Sequence, residues 1–540
     1  MDATMGKKFY ITTAIDYTNG PPHIGHAYEK VLADAMTRFQ RLAGREVYFL
    51  TGVDQHGQKV QQTAEKAGVA PEAYVKEITA HFLALWERLD VKPDGWVETT
   101  DPRHTRIVQS LLQQLYDAGQ IYKKKTTGCY SVRQEQYVTD KERNEQGEFG
   151  PEWGEVVELE EENYYFRLSD HAGWLKEFLT TNPGFVFPPN RQTQLINAVA
   201  DSGGMDLCIS RPKTRLRWGI ELPFDSDYVT FVWFDALTNY ISFAGFRDPE
   251  PGSSGLPPFD DLWPCDVHVI GKDILIPAHG IYWPIILHAC GLTDDQMPKV
   301  LVHGFWNIEG KKYSKSEAVE VKPFRVLADF GPNAIADVIG ADGLRYFLLA
   351  EMATGQDADL SEERILFRYN KDLADILGNL LNRTLNMARK YLSGVLVATD
   401  HDDDLHRGLR AAVAALPGNA LEAMQTWQIH KVLADCIDTA RLANEFIDKT
   451  APFKLAKDPA NASAVASIMR HVVEALAHLS ILLGPAMPRI SQRIQAQLGW
   501  AVPDGFTLSD LKWGLLPDGH TLGEPVPLFP KVLPPAAAAG

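Results

Sequence analysis

Cysteine is scarce in this chain: five in 540 residues (Cys129, Cys208, Cys265, Cys290, Cys436), never as Cys-x-x-Cys. That spacing excludes a disulfide framework and a cysteine-rich zinc knuckle. Positive charge is also in deficit, with 53 Lys and Arg against 70 Asp and Glu, a net charge of −17. Proteins that grip nucleic acid mainly by charge are usually basic, so non-specific DNA binding is disfavoured. A selective RNA binder, which needs only a local basic path and stacking groups, remains compatible. No apolar run reaches transmembrane length, and the first eight residues lack a signal-peptide core. The expectation is a cytoplasmic protein with no membrane contact. No internal repeat is found. What is present is an ordinary globular composition, 45% hydrophobic and 23% charged, long enough for about two to four domains.

Residues 1–115 read as strand–helix alternation, the pattern of an α/β doubly wound, Rossmann-like sheet. Residues 116–210 break that rhythm with strand-like pieces at 120–125 and 164–168, and are expected to be an inserted connective domain. Their acidic run (Glu152, Glu155, Glu158, Glu160, Glu161, Glu162) reads as a solvated face rather than a metal site. The α/β rhythm returns over 211–325, with strands expected at 228–234, 267–270 and 300–306. A joining segment (326–360) leads to an all-α helix bundle over 361–515, with helical runs at 361–391, 406–416, 419–448 and 460–483. The tail, 516–540, ends in a proline- and alanine-rich stretch expected to be extended or frayed.

Two short motifs stand out. His23-Ile24-Gly25-His26 follows a strand-like run and a turn, Asn19-Gly20-Pro21-Pro22, and opens a helical run carrying Val31, Leu32, Ala35, Met36, Phe39 and Leu42. Two histidines at i, i+3 in a first turn share the electropositive end of the helix, where phosphate oxygens bind well. Lys312-Tyr313-Ser314-Lys315-Ser316 is a lysine-serine loop suited to a mobile cationic clamp. In this order they resemble the HIGH and KMSKS signatures of class I aminoacyl-tRNA synthetases, with Tyr313 where methionine is commoner.

The flanking segments resemble the methionyl-tRNA synthetase family, from the N-terminus to about residue 530. Ala14-Ile15-Asp16-Tyr17-Thr18-Asn19-Gly20 is similar to its first pocket strand. Thr51-Gly52-Val53-Asp54-Gln55-His56-Gly57 is similar to its second, with Gln55 where glutamate is commoner. Val232-Trp233-Phe234-Asp235-Ala236-Leu237 with Tyr240 is similar to a third, Leu237 replacing a frequent proline. Ile270-Gly271-Lys272-Asp273 and the stretch 279–284 are similar to the fourth, the step from Asp273 to His279 being one residue longer than in the family.

The resemblance implies that His23, Gly25, His26, Gly271, Asp273, Lys312, Ser314, Lys315 and Ser316 bind ATP, supplied with Mg²⁺, and that His23, His26, Lys312 and Lys315 are catalytic. It gives Asp54 the ammonium of L-methionine, as a charge-assisted hydrogen bond. Ile15, Tyr17, Trp233, Ala236, Tyr240, His279 and Trp283 would complete the methionine pocket, where aromatic walls favour a polarizable thioether. Asn379 and Arg383, at i, i+4 beside a stripe of Leu377, Leu380, Leu381, Thr384 and Leu385, would read the anticodon of tRNA(Met). Phe453 would join them, standing where the family has tryptophan after Ala451-Pro452. No metal ligand is expected. Ser131 and Gln134 occupy positions where relatives carry zinc-binding cysteines, so a zinc-free form is implied. No appended dimerising module follows, so a monomer is expected.

The chemistry implied is formation of methionyl-adenylate and pyrophosphate, then transfer of methionine to tRNA. A carboxylate is already a nucleophile at neutral pH, so positioning and charge neutralisation suffice without a general base. Two other readings are a small nucleotidyltransferase, which leaves the bundle without a task, and a non-catalytic tRNA-binding descendant, which would not need both signatures intact. Replacing Lys315 with alanine separates these. If the lysine meets the phosphates mainly in the transition state, kcat for pyrophosphate exchange falls roughly 10²-fold or more. The KM for methionine then changes little. A raised KM with unchanged kcat would assign the loop another role.

Overall fold

A computed structural model describes residues 8–131, 136–138, 140–144, 146–201, 206–308, 311–312, 331–399 and 401–533. The chain divides into two compact units. The first comprises Met1–Pro21, Leu50–Phe82 and Asp94–Leu301, the second Pro22–Phe49, Leu83–Pro93 and Val302–Gly540.

The first unit is built on a seven-stranded sheet. Its strands are β1 (Phe9–Thr13), β2 (Asp16–Tyr17), β3 (Val47–Asp54), β4 (Gly95–Glu98), β5 (Val186–Phe187), β6 (Val267–Gly271) and β7 (Val300–His303). The order is β2-β3-β1-β6-β7-β5, with β4 also on β3. The registered pairs β1–β6, β2–β3, β3–β4 and β5–β7 are all parallel. β1 and β6 are buried along their whole length, as strands covered on both faces must be, which is why they read as β-branched and aromatic runs rather than alternating ones. From β1 the chain goes to β3 on one side, and β6 lies on the other, so the topological switch point falls between β1 and β6.

The insertion forms a four-stranded antiparallel sheet in the order Gln136–Val138, Ile121–Ser131, Val156–Phe166, Leu207–Cys208. Glu158, Glu160 and Glu162 alternate along the third of these strands and are exposed, so this part of the acidic run is a solvated strand face, whereas Glu161 turns to the other side and pairs with Arg215 at 3.3 Å. Lys125 and Lys123 answer Glu160 and Glu162 across the ribbon at 2.5 and 3.7 Å. The expected insertion limits, 116–210, also enclose β5, which pairs with β7 of the core sheet. The chain therefore returns to the core earlier than its sequence rhythm implied.

Two expectations at 228–234 and 300–306 need correction. The first is a strand only over Asp225–Thr230, in a separate three-stranded antiparallel sheet with Ser210–Pro212 and Glu221–Leu222. Residues Trp233–Ser242 are helix instead. The second splits into β7 and a separate strand, Trp306–Ile308.

In the second unit, α1 (Ile24–Leu42) is buried on nearly every side, Val31, Leu32, Ala35, Met36 and Phe39 included. The bundle contains α2 (Asn379–Leu392), α3 (Asp404–Met424), α4 (Ile429–Thr450) and α5 (Ala462–Leu483). The stripe from Leu377 to Leu385 is buried as its spacing required. Pro417 does not end a helix, because α3 runs through it and the break falls at 425–428. The segment Pro459–Leu483 is long and apolar enough to cross a membrane by length and composition, contrary to the expectation of no such run. Its most apolar window is 94% buried within the protein, as in a core helix. The tail is tied down as far as 533. Leu528 and Phe529 are buried, and Asn370 exchanges two hydrogen bonds with the Val532 backbone.

Arg345, in the helix Pro332–Glu351, is fully buried. Its guanidinium donates to Asp34 Oδ2 (2.7 Å) and to the carbonyls of Leu89 (3.0 Å), Pro485 (2.9 Å) and Ala486 (2.7 Å). One planar fork thus joins α1, the 83–93 stretch and the end of the bundle. Arg345→Met should destabilise the protein by about 3–5 kcal/mol in urea unfolding, because Asp34 stays buried without that partner. Arg345→Lys should recover little, since an ammonium cannot reproduce the fork.

Candidate active site

Open parallel sheets place ligands outside the carboxyl ends of the strands at the switch point. In the first unit that edge is formed by Ile15, two residues past β1, Asp54, which ends β3, and Gly271, which ends β6. Asp273 follows on the exposed side of the next turn. Tyr17 registers opposite Asp54 across β2–β3, and the Asp54 carbonyl accepts from Thr18 N (3.0 Å) and Thr18 Oγ1 (2.9 Å). Gly57 has φ +118°, and a Cβ there would lie 2.6 Å from the Tyr17 hydroxyl, so only glycine lets the chain turn against this ring. Gln55, the departure from glutamate, donates to Thr79 Oγ1 (3.0 Å) and Glu98 Oε2 (3.3 Å) and accepts from Thr100 Oγ1 (2.5 Å). A glutamate could not donate to Glu98.

Trp233, Ala236 and Tyr240 fall at i, i+3 and i+7 on the helix Trp233–Ser242, which puts them on one face. Val232, just before this helix, has φ +34°, a strained value for a β-branched residue. Tyr240 packs 5.5 Å from Trp283 and 4.2 Å from His268, ring centre to ring centre. Hydrogen bonds settle the tautomers here. His279 Nδ1 donates to the Ile274 carbonyl (2.9 Å), so its Nε2 accepts the Tyr240 hydroxyl proton (2.8 Å). The Trp283 indole can only donate, so His268 Nε2 accepts from it (3.0 Å) and Nδ1–H donates to Thr12 Oγ1 (2.6 Å). Burial holds the His268 pKa well below its usual value. Between Asp273 and His279 the helical path is broken at Ile276 (φ −114°, ψ 120°), so the longer spacing lies across an irregular turn.

Asp235 ties these pieces together. It accepts from His56 Nδ1 (2.7 Å) and His104 Nε2 (2.8 Å), and His104 Nδ1 meets Ser242 Oγ at 2.7 Å. Burial opposes its charge, but the His56 charge and the hydrogen bonds from both imidazoles prevail and hold the carboxyl at about 2. Burial likewise opposes protonation of His56, yet Asp235 and Asp54 raise its pKa.

A model of the family described as tRNA synthetases class I (M) matches residues 9–147 and 153–385. The chain is 40% identical over 536 residues to the methionine–tRNA ligase of Rhizobium meliloti, across 98% of this chain and 99% of that one. It is 38% identical over 540 residues to that of Deinococcus radiodurans, across 99% and 76%. Its fold superposes with a TM-score of 0.86 and 36% identity on Mycobacterium tuberculosis methionyl-tRNA synthetase in complex with methionyl-adenylate, covering 97% and 100% of the two chains. The chain belongs to the methionine branch of the class I tRNA synthetases.

In this class I synthetase the first histidine signature lies in the second unit. His23 caps α1, accepting from Gly25 N at Nδ1 (3.1 Å), while His26 Nδ1 accepts from His23 N (3.1 Å). The rings stack at 3.7 Å. With both Nδ1 atoms accepting from backbone, each ring carries its proton on Nε2 as a hydrogen-bond donor. A Cβ on Gly25 would meet the His23 ring at 3.0 Å, so this glycine makes room for the stacked histidines. Lys312 is described only as backbone, in a strand beside Asn307, and Ser314, Lys315 and Ser316 lie outside the described residues. In the bundle, Asn379 is exposed, Arg383 pairs with Asp448 at 2.8 Å, and Phe453 is 43% exposed. Ser131 Oγ donates to the Trp153 carbonyl (2.5 Å), and Gln134 lies outside the described residues. The described side chains there do not fit a zinc knuckle.

His56, His104, Asp235 and His268 were not foreseen. His56 and Asp235 lie inside the quoted pocket segments, where a histidine and a buried-strength acid could have been paired. His104 and His268 carry no motif signal. Asp235→Asn gives a test with a defined sign. The depressed Asp235 pKa adds stability present above about 3.8 and lost as pH falls through about 2. The raised His56 pKa adds stability present below 6.5 and lost as pH rises through its folded value. Urea unfolding should show Asp235→Asn losing about 2 kcal/mol between these limits. The acid and alkaline slopes should both flatten.

Proposed function

We propose that this chain activates L-methionine with ATP and charges tRNA(Met), acting as a monomer in the cytoplasm. One observation carries the pocket reading. The eight residues named for methionine all fall in the first unit, at the switch-point edge and on segments tied by Asp235 and by the Tyr240–His279 and Trp283–His268 bonds.

In this reading Asp54 holds the substrate ammonium, and Ile15, Tyr17, Trp233, Ala236, Tyr240, His279 and Trp283 wall its side chain. The methionine carboxylate attacks the α-phosphorus of MgATP and the bond to the bridging oxygen breaks, leaving methionyl-adenylate and pyrophosphate. His23 and His26 donate Nε2–H to phosphate oxygens, and Gly271 and Asp273 border the nucleotide. Lys312, Ser314, Lys315 and Ser316 neutralise the departing pyrophosphate. A terminal ribose hydroxyl of tRNA(Met) then attacks the mixed anhydride, forming the ester and releasing AMP. Asn379, Arg383 and Phe453 read the anticodon. Arg383 gives up little by leaving Asp448, since such an exposed pair contributes at most about 1 kcal/mol. The insertion works without zinc.

ATP–pyrophosphate exchange across a panel of amino acids tests this. Exchange should be selective for methionine without tRNA, and equal rates with leucine, isoleucine or cysteine would sink the assignment. Arg383→Ala should leave exchange near wild type while tRNA charging falls roughly ten- to hundredfold in kcat/KM, for a base contact of about 1–3 kcal/mol. Equal charging of an anticodon-altered tRNA(Met) would move recognition to the acceptor stem.

A further inference from the structure

The entry to α3 gathers three side chains that the charging reaction does not use. His401 and Asp403 precede the helix and His406 lies in its first turn, and one ligand atom from each lies within 4.8 Å of the others. Asp403 Oδ1 caps the helix, accepting from Leu405 N (2.8 Å), His406 N (3.0 Å) and His406 Nδ1 (2.7 Å). Its Oδ2 takes no hydrogen bond among the described residues.

Two imidazoles here are short of partners. His406 is 1% exposed; with Nδ1–H committed to Asp403, its Nε2 is a buried lone pair without a donor among the described residues. His471 of α5 donates Nδ1–H to the Ser467 carbonyl (2.9 Å), and its Nε2 is buried and likewise without a donor. The two rings lie 4.7 Å apart, nearly perpendicular. Native proteins rarely leave buried acceptors unmade, because desolvating them is costly. An ion that accepts electron pairs answers that deficit where a protein hydrogen-bond donor is lacking.

The loop is also held ready. Ser467 Oγ donates to the His401 carbonyl (2.6 Å), and Thr399 Oγ1 meets Ser463 Oγ at 2.7 Å. His401 and Asp403 are exposed, which supplies an entry path. Asp403 and His406 form a carboxylate–imidazole pair of the kind that orients metal-ligating histidines.

We propose that the Nε2 atoms of His406 and His471, joined by the exposed His401 imidazole, bind a divalent first-row transition ion, with Zn²⁺ the first choice, while Asp403 orients His406 through its Nδ1–H. Imidazole ligands suit zinc, nickel or cobalt, whereas Mg²⁺ prefers an all-oxygen shell. Zinc bonds of about 2.0–2.1 Å put tetrahedral ligands roughly 3.3 Å apart. The exposed His401 ring can close the remaining gap by changing rotamer. The ion would staple the entry of α3 to α5, at a place unrelated to any cysteine knuckle.

The test uses the full chain stripped with chelator, then titrated with ZnCl₂ or MgCl₂ by calorimetry and thermal unfolding. Saturable uptake of one Zn²⁺ per chain with a raised Tm is expected, and no shift with Mg²⁺. His401→Ala and Asp403→Asn should each weaken Zn²⁺ binding by about tenfold or more; asparagine keeps the helix cap, so the second variant stays folded. His81→Ala, at an exposed histidine elsewhere, should bind as wild type. Methionine-dependent exchange should be unchanged in all three, which separates this site from the synthetase chemistry. Absence of saturable binding, or binding untouched by both the His401 and Asp403 variants, would overturn the proposal.

Discussion

A charge buried without partners would cost several kcal/mol, and Asp235 meets that constraint by being shared. Its two oxygens reach His56, in the loop after β3, and His104, in the helix Pro102–Asp117. Because Asp235 stands in the first turn of the helix Trp233–Ser242, those two bonds fix the rotation of that helix. The face with Trp233, Ala236 and Tyr240 is set by the same rotation. A hydrophobic isostere could fill the space but could not choose the angle, so the carboxylate acts as a register device for three separated stretches of sequence.

In the proposed reading, chemistry at a phosphate asks for donors and cations rather than bases. His23 and His26 accept backbone N–H groups at Nδ1 and so carry their ring protons on Nε2. Their stacking is possible because residue 25 has no side chain to intervene. In the other unit the imidazoles act as struts: His279 and His268 each accept one aromatic donor and give one proton onward. The same residue type thus takes different tautomers, according to which nitrogen the backbone or a neighbour has claimed.

Much of this was legible in the sequence. The strand–turn–helix context of His23 to His26 follows from local spacing, and the buried stripe from Leu377 to Leu385 follows from helical period. The solvated acidic strand was visible as alternation of Glu158, Glu160 and Glu162. What escaped depends on distant partners. The segment around Trp233 reads as a β-rich run by residue type, yet it is a helix, because Val232 takes a strained turn and Asp235 is captured by two histidines. β5 is two residues long and announces nothing until β7 pairs with it. The expected runs 406–416 and 419–448 leave a gap at 417–418, whereas the break comes ten residues later at Trp427, a residue with φ +57° that no rule of composition flags.

In the proposed pocket the Trp283 indole proton is given to His268 and the Tyr240 hydroxyl proton to His279. A hydroxyl-bearing side chain would shed its water on entering and find neither proton on offer, whereas a thioether has little hydration to surrender. Selection against polar analogues of similar length would then come from donors already committed elsewhere.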